Sequence, residues 1–552
     1  MKQNNYIFSL LIIAALFISV SCKKQLDVQN PNYPTLANAE TETGIISLAT
    51  GAVYTNGFNT VDVNGLTILG NSYFFIGLAY HELLGDVVSA EAANTLINVV
   101  SLPEYVILDN GTKVSNTSNS KSFMRISNSR DKRGNNPFYY EWTYMYALNN
   151  ACNNVLSIVD QVTYTGEAET KKNTIKAWCY FWKGFAYSKI GSLYYSGLIS
   201  NSTIGASNRY LIHDSIIGEA NRNLDLASSI VNSITKPDVY SSVLGQLLPK
   251  FLQQGHGGIL TPAMFAHNIN TLKARNLLVN KKPSLMTSAD WATLSTLTTN
   301  GIQTGEFIFT ARTNPSNGFF TAGSGSVTAG TTGDPNTKTF TISERVIQDY
   351  KTGDKRFANN FQIQLNDAGQ PKPYLNQVGG FTYSTRWALI DGGKGMPGVQ
   401  TLSNLTPGQY ELAIAGSYEE NELIKAESKI YSGDIEGGLK SIDAVRTYLG
   451  AGLAAVSGTN LSQAQALEEL RRERRVALML RGLSFYDARR WGIIYDISAG
   501  GGRKGAVVLT STGVLNTNAT INYNFLDYWD VPADEFELNI PASGSAPVKN
   551  PG

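Results

Sequence analysis

Reactive side chains are sparse in this chain of 552 residues, and their spacing excludes most enzyme chemistries. The four histidines, His81, His213, His256 and His267, lie far apart, and none sits in the HExxH pattern that places two metal ligands on one helical face. No GxSxG elbow and no phosphate-binding Walker loop occurs. Gly500-Gly501-Gly502-Arg503-Lys504-Gly505 fits GxGxxG, but it follows a helical pattern and precedes the strand-like run from Ala506. Dinucleotide binding needs the reverse order, so this is read as a flexible loop. Asp62-Val63-Asn64-Gly65 resembles the start of a calcium loop without its closing acid. Carboxylates for glycoside hydrolysis need not be neighbours in the chain, and nothing here marks a pair. No cofactor, metal or catalytic residue is expected.

Bulk composition points to a neutral ligand. Charged residues make up 16%, against about 25% in an average globular protein, and the formal net charge is +1. No global field draws in nucleic acid or an acidic membrane. The hydrophobic fraction of 42% suffices for a large core. Aromatic residues reach 10%, amid abundant Asn, Ser, Thr and Gly. Flat aromatics beside hydrogen-bonding groups suit sugars, which present apolar C–H faces ringed by hydroxyls.

The elements that would position such a surface are helical. Periodicity predicts helices over 138–158, 169–194 and 215–234, a pair within 262–299, and a hairpin of 419–431 and 435–448 broken at Ser432-Gly433-Asp434. Another helix begins near Ala37. Aromatics surround the 169–194 helix: Trp178, Phe181, Trp182 and Phe185 on one side, Tyr180, Tyr187 and Tyr195 on the other. Such a helix is contacted on two faces, as in stacked hairpins of tetratricopeptide type. Residues 56–137 and 301–415 differ: they are long, rich in Gly, Asn, Thr and Ser, and carry short β-prone runs such as Glu306 to Thr310 and Thr339 to Ile342. Loops of this length inside a compact domain are usually functional.

The strongest helical signal runs from Leu467 to Gly492. Leu467, Leu470, Ala477, Leu478, Phe485 and Ala488 share a face with Arg474 and Arg481. Arginines on a core-facing stripe require partners, because an unpaired buried charge is costly. Glu427, flanked by Leu423, Ala426 and Ile430, is the expected partner of Arg474 or Arg481. The run Arg471 to Arg475 is interleaved with carboxylates and does not read as a nucleic-acid surface.

At the other end, Met1–Lys2 precede an apolar run from Tyr6 to Val20 and then Ser21-Cys22. That run is short for a membrane span and reads as a signal peptide over 1–21. Cys22 resembles the acceptor of a bacterial lipoprotein signal, which would leave residues 22–36 as a lipidated leash before a single domain over 37–552. Cys152 and Cys179 fall in neighbouring predicted helices; a bridge is open to them, and two buried thiols are the preferred reading.

Glu473, Arg474, Arg475, Leu478, Gly482, Asp487, Arg489, Arg490, Trp491 and Gly492 together resemble the C-terminal signature of the SusD/RagB family, surface glycan-binding lipoproteins of Bacteroidetes. Ala477 and Arg481 stand where the pattern usually has Glu, and Ser484 where it has Arg, as in a divergent branch. Leu26–Leu36 and the VPADEFELNIPASGSAPVKNPG ending also resemble the family. The resemblance implies a mainly α fold: a tetratricopeptide-like scaffold of helical pairs with long loop-rich insertions and minor β. It implies an outer-membrane protein, facing the exterior, that captures a glycan for nutrient uptake. The glycan would pass to a SusC-like TonB-dependent transporter; a peptide-binding relative or a glycan-processing enzyme are the rival readings. In such proteins the ligand face is built from the insertions, around a GDxR-like turn that matches Gly353-Asp354-Lys355-Arg356. The corresponding aromatics are Tyr73, Phe74, Tyr105 and Phe123, then Phe319 and Phe320, then Tyr374, Tyr383 and Trp387, with Trp387 first for its stacking area.

Overall fold

The computed structural model describes residues 40–57, 61–63, 66–68, 77–90, 95–116, 120–205, 207–312, 331, 339–366, 368–376, 384–406 and 408–552. Its helical elements, in chain order, are α1 (Glu42–Gly51), α2 (Leu78–Leu84), α3 (Ser120–Ser127), α4 (Pro137–Ile158), α5 (Ala168–Leu193), α6 (His213–Asn232), α7 (Pro237–Leu247), α8 (Pro262–Val279) and α9 (Ser288–Thr299). After the second insertion's short α10 (Lys355–Asn360) come α11 (Tyr418–Tyr431), α12 (Ile435–Tyr448), α13 (Gln463–Ala477) and α14 (Ser484–Arg490). Local chemistry starts these helices. Asn136 accepts the Phe138 N–H at 3.0 Å ahead of Pro137 in α4. Capping boxes open α9 (Thr287 with Asp290) and α13 (Ser462 with Gln465).

The scaffold is a stack of hairpins: α5 packs on α4 and α6, α8 on α6 and α9, and α11 on α9 and α12. Two glycines a heptad apart let α5 and α6 approach. A Cβ at Gly184 would lie 2.6 Å from the Leu224 side chain, and one at Gly191 2.9 Å from Ile217. As expected, α5 is contacted on both sides. Phe181 and Trp182 meet Phe309 at ring-centroid distances of 4.7 and 5.3 Å, while the Tyr187 hydroxyl donates to the Ser200 carbonyl at 2.8 Å. Cys152 of α4 and Cys179 of α5 are buried free thiols. One core runs from Ile45 in α1 to Val531, so early and late segments of the described residues share it.

The strands that fasten the insertions to this scaffold include β1 (Val88–Ala90), β2 (Tyr105–Ile107), β3 (Lys113–Ser115), β4 (Thr310–Arg312), β5 (Phe340–Ile342), β6 (Phe361–Ile363), β7 (Trp387–Leu389), β8 (Glu411–Ala413), β9 (Arg503–Leu509) and β10 (Leu515–Asn522). Antiparallel pairs join β1 to β5, β4 to β8 and β6 to β7. The four-stranded sheet has the order β9-β10-β2-β3, so the first insertion closes against a C-terminal hairpin. The glycine-rich GxGxxG segment is a turn only to Gly502; β9 starts at Arg503.

Two expectations need correcting. The stretch Leu467–Gly492 is not one helix: α13 ends at Ala477, and a turn with left-handed Leu480 (φ 63°) and Gly482 (φ 71°) leads into α14. A buried acid on α2 captures this break, because Glu82 accepts the N–H groups of Leu480 (3.1 Å) and Gly482 (2.7 Å). Glycine is required at 482, where φ is positive and a Cβ would meet Leu78 at 2.5 Å. The second correction follows from the first. With the helix broken, Arg474 and Arg481 no longer share a face, and Glu427 pairs with neither. Its carboxylate takes a bidentate pair from Arg490 (2.5 and 2.7 Å). Arg474 instead binds Asp487 at 2.8 Å, and Arg481 pairs with Glu419.

Candidate functional site

The GDxR-like turn belongs to the buttress. Asp354 caps α10 through the Arg356 N–H (2.9 Å), and the Arg356 guanidinium spans Asp354 (2.8 Å) and Glu473 of α13 (2.5 Å). Glu473 also accepts from Arg446 of α12 at 2.9 Å, and Arg446 reaches Glu469 at 2.8 Å. These guanidiniums and Glu473 are buried and mutually paired, a fixed lattice with no opening for a ligand.

A different kind of surface lies where the second insertion meets α11 and α12. A cavity of about 530 Å³ opens between the β4–β8 ribbon, the 302–306 turn, the 398–404 loop, the start of α11 and the end of α12. Half-buried Tyr410, Tyr418 and Tyr448 line it. The Tyr418 and Tyr448 rings meet edge to face, with centroids 4.9 Å apart at 67°. Their positions follow from the helix ends: Ser417 caps α11 one residue before Tyr418, and Tyr448 is the last residue of α12. Burial raises the phenol of Tyr418 and pushes that of Tyr448 up to about 12, so both remain protonated donors at neutral pH.

The polar groups around these rings are held in place. Glu411, opposite Arg312 in the β4–β8 register, accepts from the His256 ring (2.8 Å), the Gly257 N–H (3.1 Å) and Arg312 (2.8 Å). Burial pushes the Glu411 carboxyl up, but the His256 bonds and Arg312 outweigh it and hold the group below its ordinary value. His256, largely exposed, is raised chiefly by its bond to Glu411. Arg481 is fixed by Glu419 and by the Ser417 hydroxyl at 3.1 Å. Glu306 accepts from the Gln303 N–H at 2.8 Å and pairs with His267 at 2.8 Å. Gln400, Asn404 and Gln409 add amides to the wall. Each carboxylate here is engaged by a cation or an N–H, an arrangement suited to hydrogen bonding a ligand rather than to proton transfer. Among the described residues no group of three or more His, Cys, Asp or Glu could hold a metal ion.

Of the aromatics expected at the ligand face, Tyr73, Phe74, Phe319, Phe320 and Tyr383 lie outside the described residues, as does Cys22. The described ones do not line the cavity. Trp387 in β7 packs edge-on against Phe357 (5.0 Å, 76°), opposite Ile363 of β6. Tyr374 is half-buried and pairs through its backbone with Thr385. Half-buried Phe123 sits in α3, whose Arg125 donates to the Asn550 carbonyl at the C-terminus. The cavity tyrosines escape sequence reasoning because Tyr418 and Tyr448 sit at helix ends, where periodicity assigns them no face.

Residues 420–540 match the SusD family, a span that holds most of α11, all of α12 to α14 and the β9–β10 hairpin. Solved structures extend the likeness to nearly the whole fold. A SusD-like carbohydrate binding protein from Bacteroides fragilis aligns with TM-score 0.54 at 13% identity, covering 91% of this chain and 98% of that one. One from Bacteroides vulgatus gives 0.54 at 13% identity, covering 92% and 98%. A SusD homolog from Bacteroides thetaiotaomicron gives 0.53 at 12% identity, covering 83% and 88%. The chain carries a SusD-family segment at residues 420–540 on a SusD-like fold. No curated protein matches it. Within this chain the boundary of the SusD-family segment is informative. The matched span contains the Arg490–Glu427 and Arg446–Glu473 anchors and contributes Tyr448 and Arg481 to the cavity, whereas Tyr410, Glu411, Tyr418 and His256 precede it. Among the described residues no helix is long and apolar enough to cross a membrane.

Proposed function

We propose that this protein is a non-catalytic, cell-surface glycan-binding lipoprotein that captures an oligosaccharide in the tyrosine-lined cavity and delivers it to a SusC-like TonB-dependent transporter. The observation that carries the reading is the cavity itself. Three partly exposed tyrosines supply flat apolar faces, and fixed Glu, Arg, His and amide groups surround them to meet hydroxyls in directional bonds. A volume of about 530 Å³ accommodates a short oligosaccharide segment. The SusD-family segment and the carbohydrate-binding descriptions of the structural neighbours support the ligand class. Lipidation at Cys22, an outer-membrane location facing the exterior and the transporter partner rest on the N-terminal sequence and the family resemblance. The insertion aromatics Tyr73, Phe123, Phe319, Phe320, Tyr374, Tyr383 and Trp387 are proposed as further contacts for a longer chain.

Titration calorimetry against a panel of oligosaccharides tests the ligand class, with an equal panel of peptides as the control. Saturable binding of a glycan that survives incubation unhydrolysed is expected. Peptide binding in the cavity with no glycan binding, or turnover of the glycan, would reject the reading. Mass spectrometry of the membrane fraction tests the anchor: an unmodified N-terminus there would remove it.

A further inference from the structure

One side chain of the tyrosine cavity is anchored from inside the core. Arg481 lines the cavity, and its guanidinium donates to the Ser417 hydroxyl at 3.1 Å and pairs with Glu419. Ser417 and Glu419 flank Tyr418, and Ser417 caps α11 by accepting the Glu420 N–H at 3.3 Å. Where Arg481 stands therefore bears on both the polar wall and the ring beside it.

The backbone that presents Arg481 is in a conformation that most residues avoid. Leu480 before it and Gly482 after it both take a positive φ, 63° and 71°. Among the described residues four non-glycine residues do so. The other three are Asp86, Asn460 and Asn524, whose short polar side chains tolerate that region, whereas a leucine there is strained. Such a residue persists only where its surroundings hold it.

Glu82 of α2 holds it, fully buried and with one carboxylate oxygen on each side of Arg481. Its Oε2 accepts the Leu480 N–H at 3.1 Å and its Oε1 the Gly482 N–H at 2.7 Å. The end of α2 is itself pinned. Arg475 of α13 donates to the Gly85 and Asp86 carbonyls at 2.9 and 3.2 Å, and the Ser484 hydroxyl donates to the His81 carbonyl at 2.8 Å. A Cβ at Gly85 would strike Ser484, so the turn and the helix end lie in direct contact. Glu82 is met by N–H and hydroxyl groups rather than by a cation, and burying a carboxylate in that way is expensive. What the carboxylate adds over a neutral side chain is a grip on both N–H groups at once.

We propose that Glu82 is a positioning residue for the cavity: its grip on the chain either side of Arg481 sets where that guanidinium stands, and through it the affinity for glycan. The consequence for affinity rests on the glycan-binding reading of the cavity; the placement of Arg481 does not.

Two measurements on the full chain separate these, both at about pH 8, where the Glu82 carboxyl is ionised. In the first, phenylglyoxal, which labels accessible arginines, is followed at Arg481 by peptide mass spectrometry. Glu82→Gln is isosteric but offers one acceptor to two N–H groups, so Arg481 should label at least about threefold faster than in the wild type. Glu427→Gln, in the buttress, should leave that rate unchanged. The second is calorimetry with maltohexaose, cellohexaose, xylohexaose and mannohexaose, carried through with whichever the wild type binds most tightly. Glu82→Gln should weaken that binding about fivefold and Arg481→Met about tenfold, and the double variant should match Arg481→Met within about twofold, because Glu82 acts through the arginine. A Glu82 that only supports the fold would weaken binding equally in both backgrounds or not at all. Either result, or an unchanged labelling rate in Glu82→Gln, would overturn the proposal. Faster labelling with none of the four sugars bound by the wild type would support the placement of Arg481 and count against the cavity as a glycan site.

Discussion

Two regions of this molecule use the same side chains for opposite ends. In the buttress around α13 and α14, Arg356, Arg446, Arg474 and Arg490 are almost fully buried, and each is tied to a carboxylate between helices. In the tyrosine cavity, Arg481, Glu411 and His256 are also paired, yet they stand at a wall open to solvent beside three half-buried rings. Pairing therefore does not distinguish structure from function here. What distinguishes them is whether the paired group still has a face turned to a space a ligand can enter. The buttress holds α11 at Glu427 and α12 at Arg446, two residues before Tyr448, and the cavity is built on the start of α11 and the end of α12, so the first region positions the second.

That contrast can be broken most forcefully from the buttress side. Glu473→Ala removes the acceptor shared by Arg356 and Arg446 and leaves each buried guanidinium with one carboxylate, Asp354 and Glu469 respectively, so a loss of about 3 kcal/mol is expected in urea unfolding. A loss under about 1 kcal/mol would show that the lattice is not structural.

The break between α13 and α14 offers a pH test. Burial pushes the Glu82 carboxyl up to about 7, against the N–H groups of Gly482 and Leu480 that favour its ionised form. A raised carboxyl binds more protons in the folded than in the unfolded state between about pH 4.5 and 7. Glu82 therefore removes stability as pH rises through that window, by up to about 3 kcal/mol. His81, lowered mainly by burial, acts with the opposite sign below its ordinary value, so the difference between wild type and Glu82→Gln isolates the acid. Glu82→Gln should flatten the fall between pH 5 and 7 in parallel urea titrations; an unchanged profile would refute the assignment.

From the cavity side the effects on stability are smaller and those on binding larger. Tyr418→Ala should cost about 1 kcal/mol of stability through its edge-to-face partner Tyr448, while glycan affinity falls about tenfold or more. At the low end, Lys176→Ala removes an ion pair to the mostly exposed Asp160, and its effect should stay within about 0.5 kcal/mol in the same titration. A larger value there would mean that exposed pairs also carry the fold.

Much of the scaffold was legible because its periodicity and caps agree with its packing. The hairpin expected at 419–431 and 435–448 forms as Tyr418–Tyr431 and Ile435–Tyr448. The Ser432-Gly433-Asp434 break works because Gly433 takes a positive φ and Asp434 caps the next helix through Gly437. The 467–492 helix was misread because propensity favours continuing past Ala477, whereas Glu82, nearly 400 residues earlier, captures the N–H groups that the turn frees. The same long-range origin hid the true partner of Glu427. The β-prone run 306–310 was placed early: the ladder is Thr310–Arg312, fixed by pairing with Glu411–Ala413 across about 100 residues. The cavity was not legible. Its wall gathers a histidine at 256, a ribbon residue at 411 and tyrosines at two helix ends, and only the folded hairpin brings them together.

The most direct test of the account compares two variants in one calorimetric experiment with whichever glycan the wild type binds. Tyr418→Ala/Tyr448→Ala should lose that binding by at least about tenfold while unfolding cooperatively, and Glu427→Gln, in the buttress, should lower the melting temperature while leaving the affinity of the folded protein within about twofold. Unchanged affinity in the tyrosine double variant, or a selective loss of affinity in Glu427→Gln, would contradict the claim that the cavity binds and the buttress only holds it.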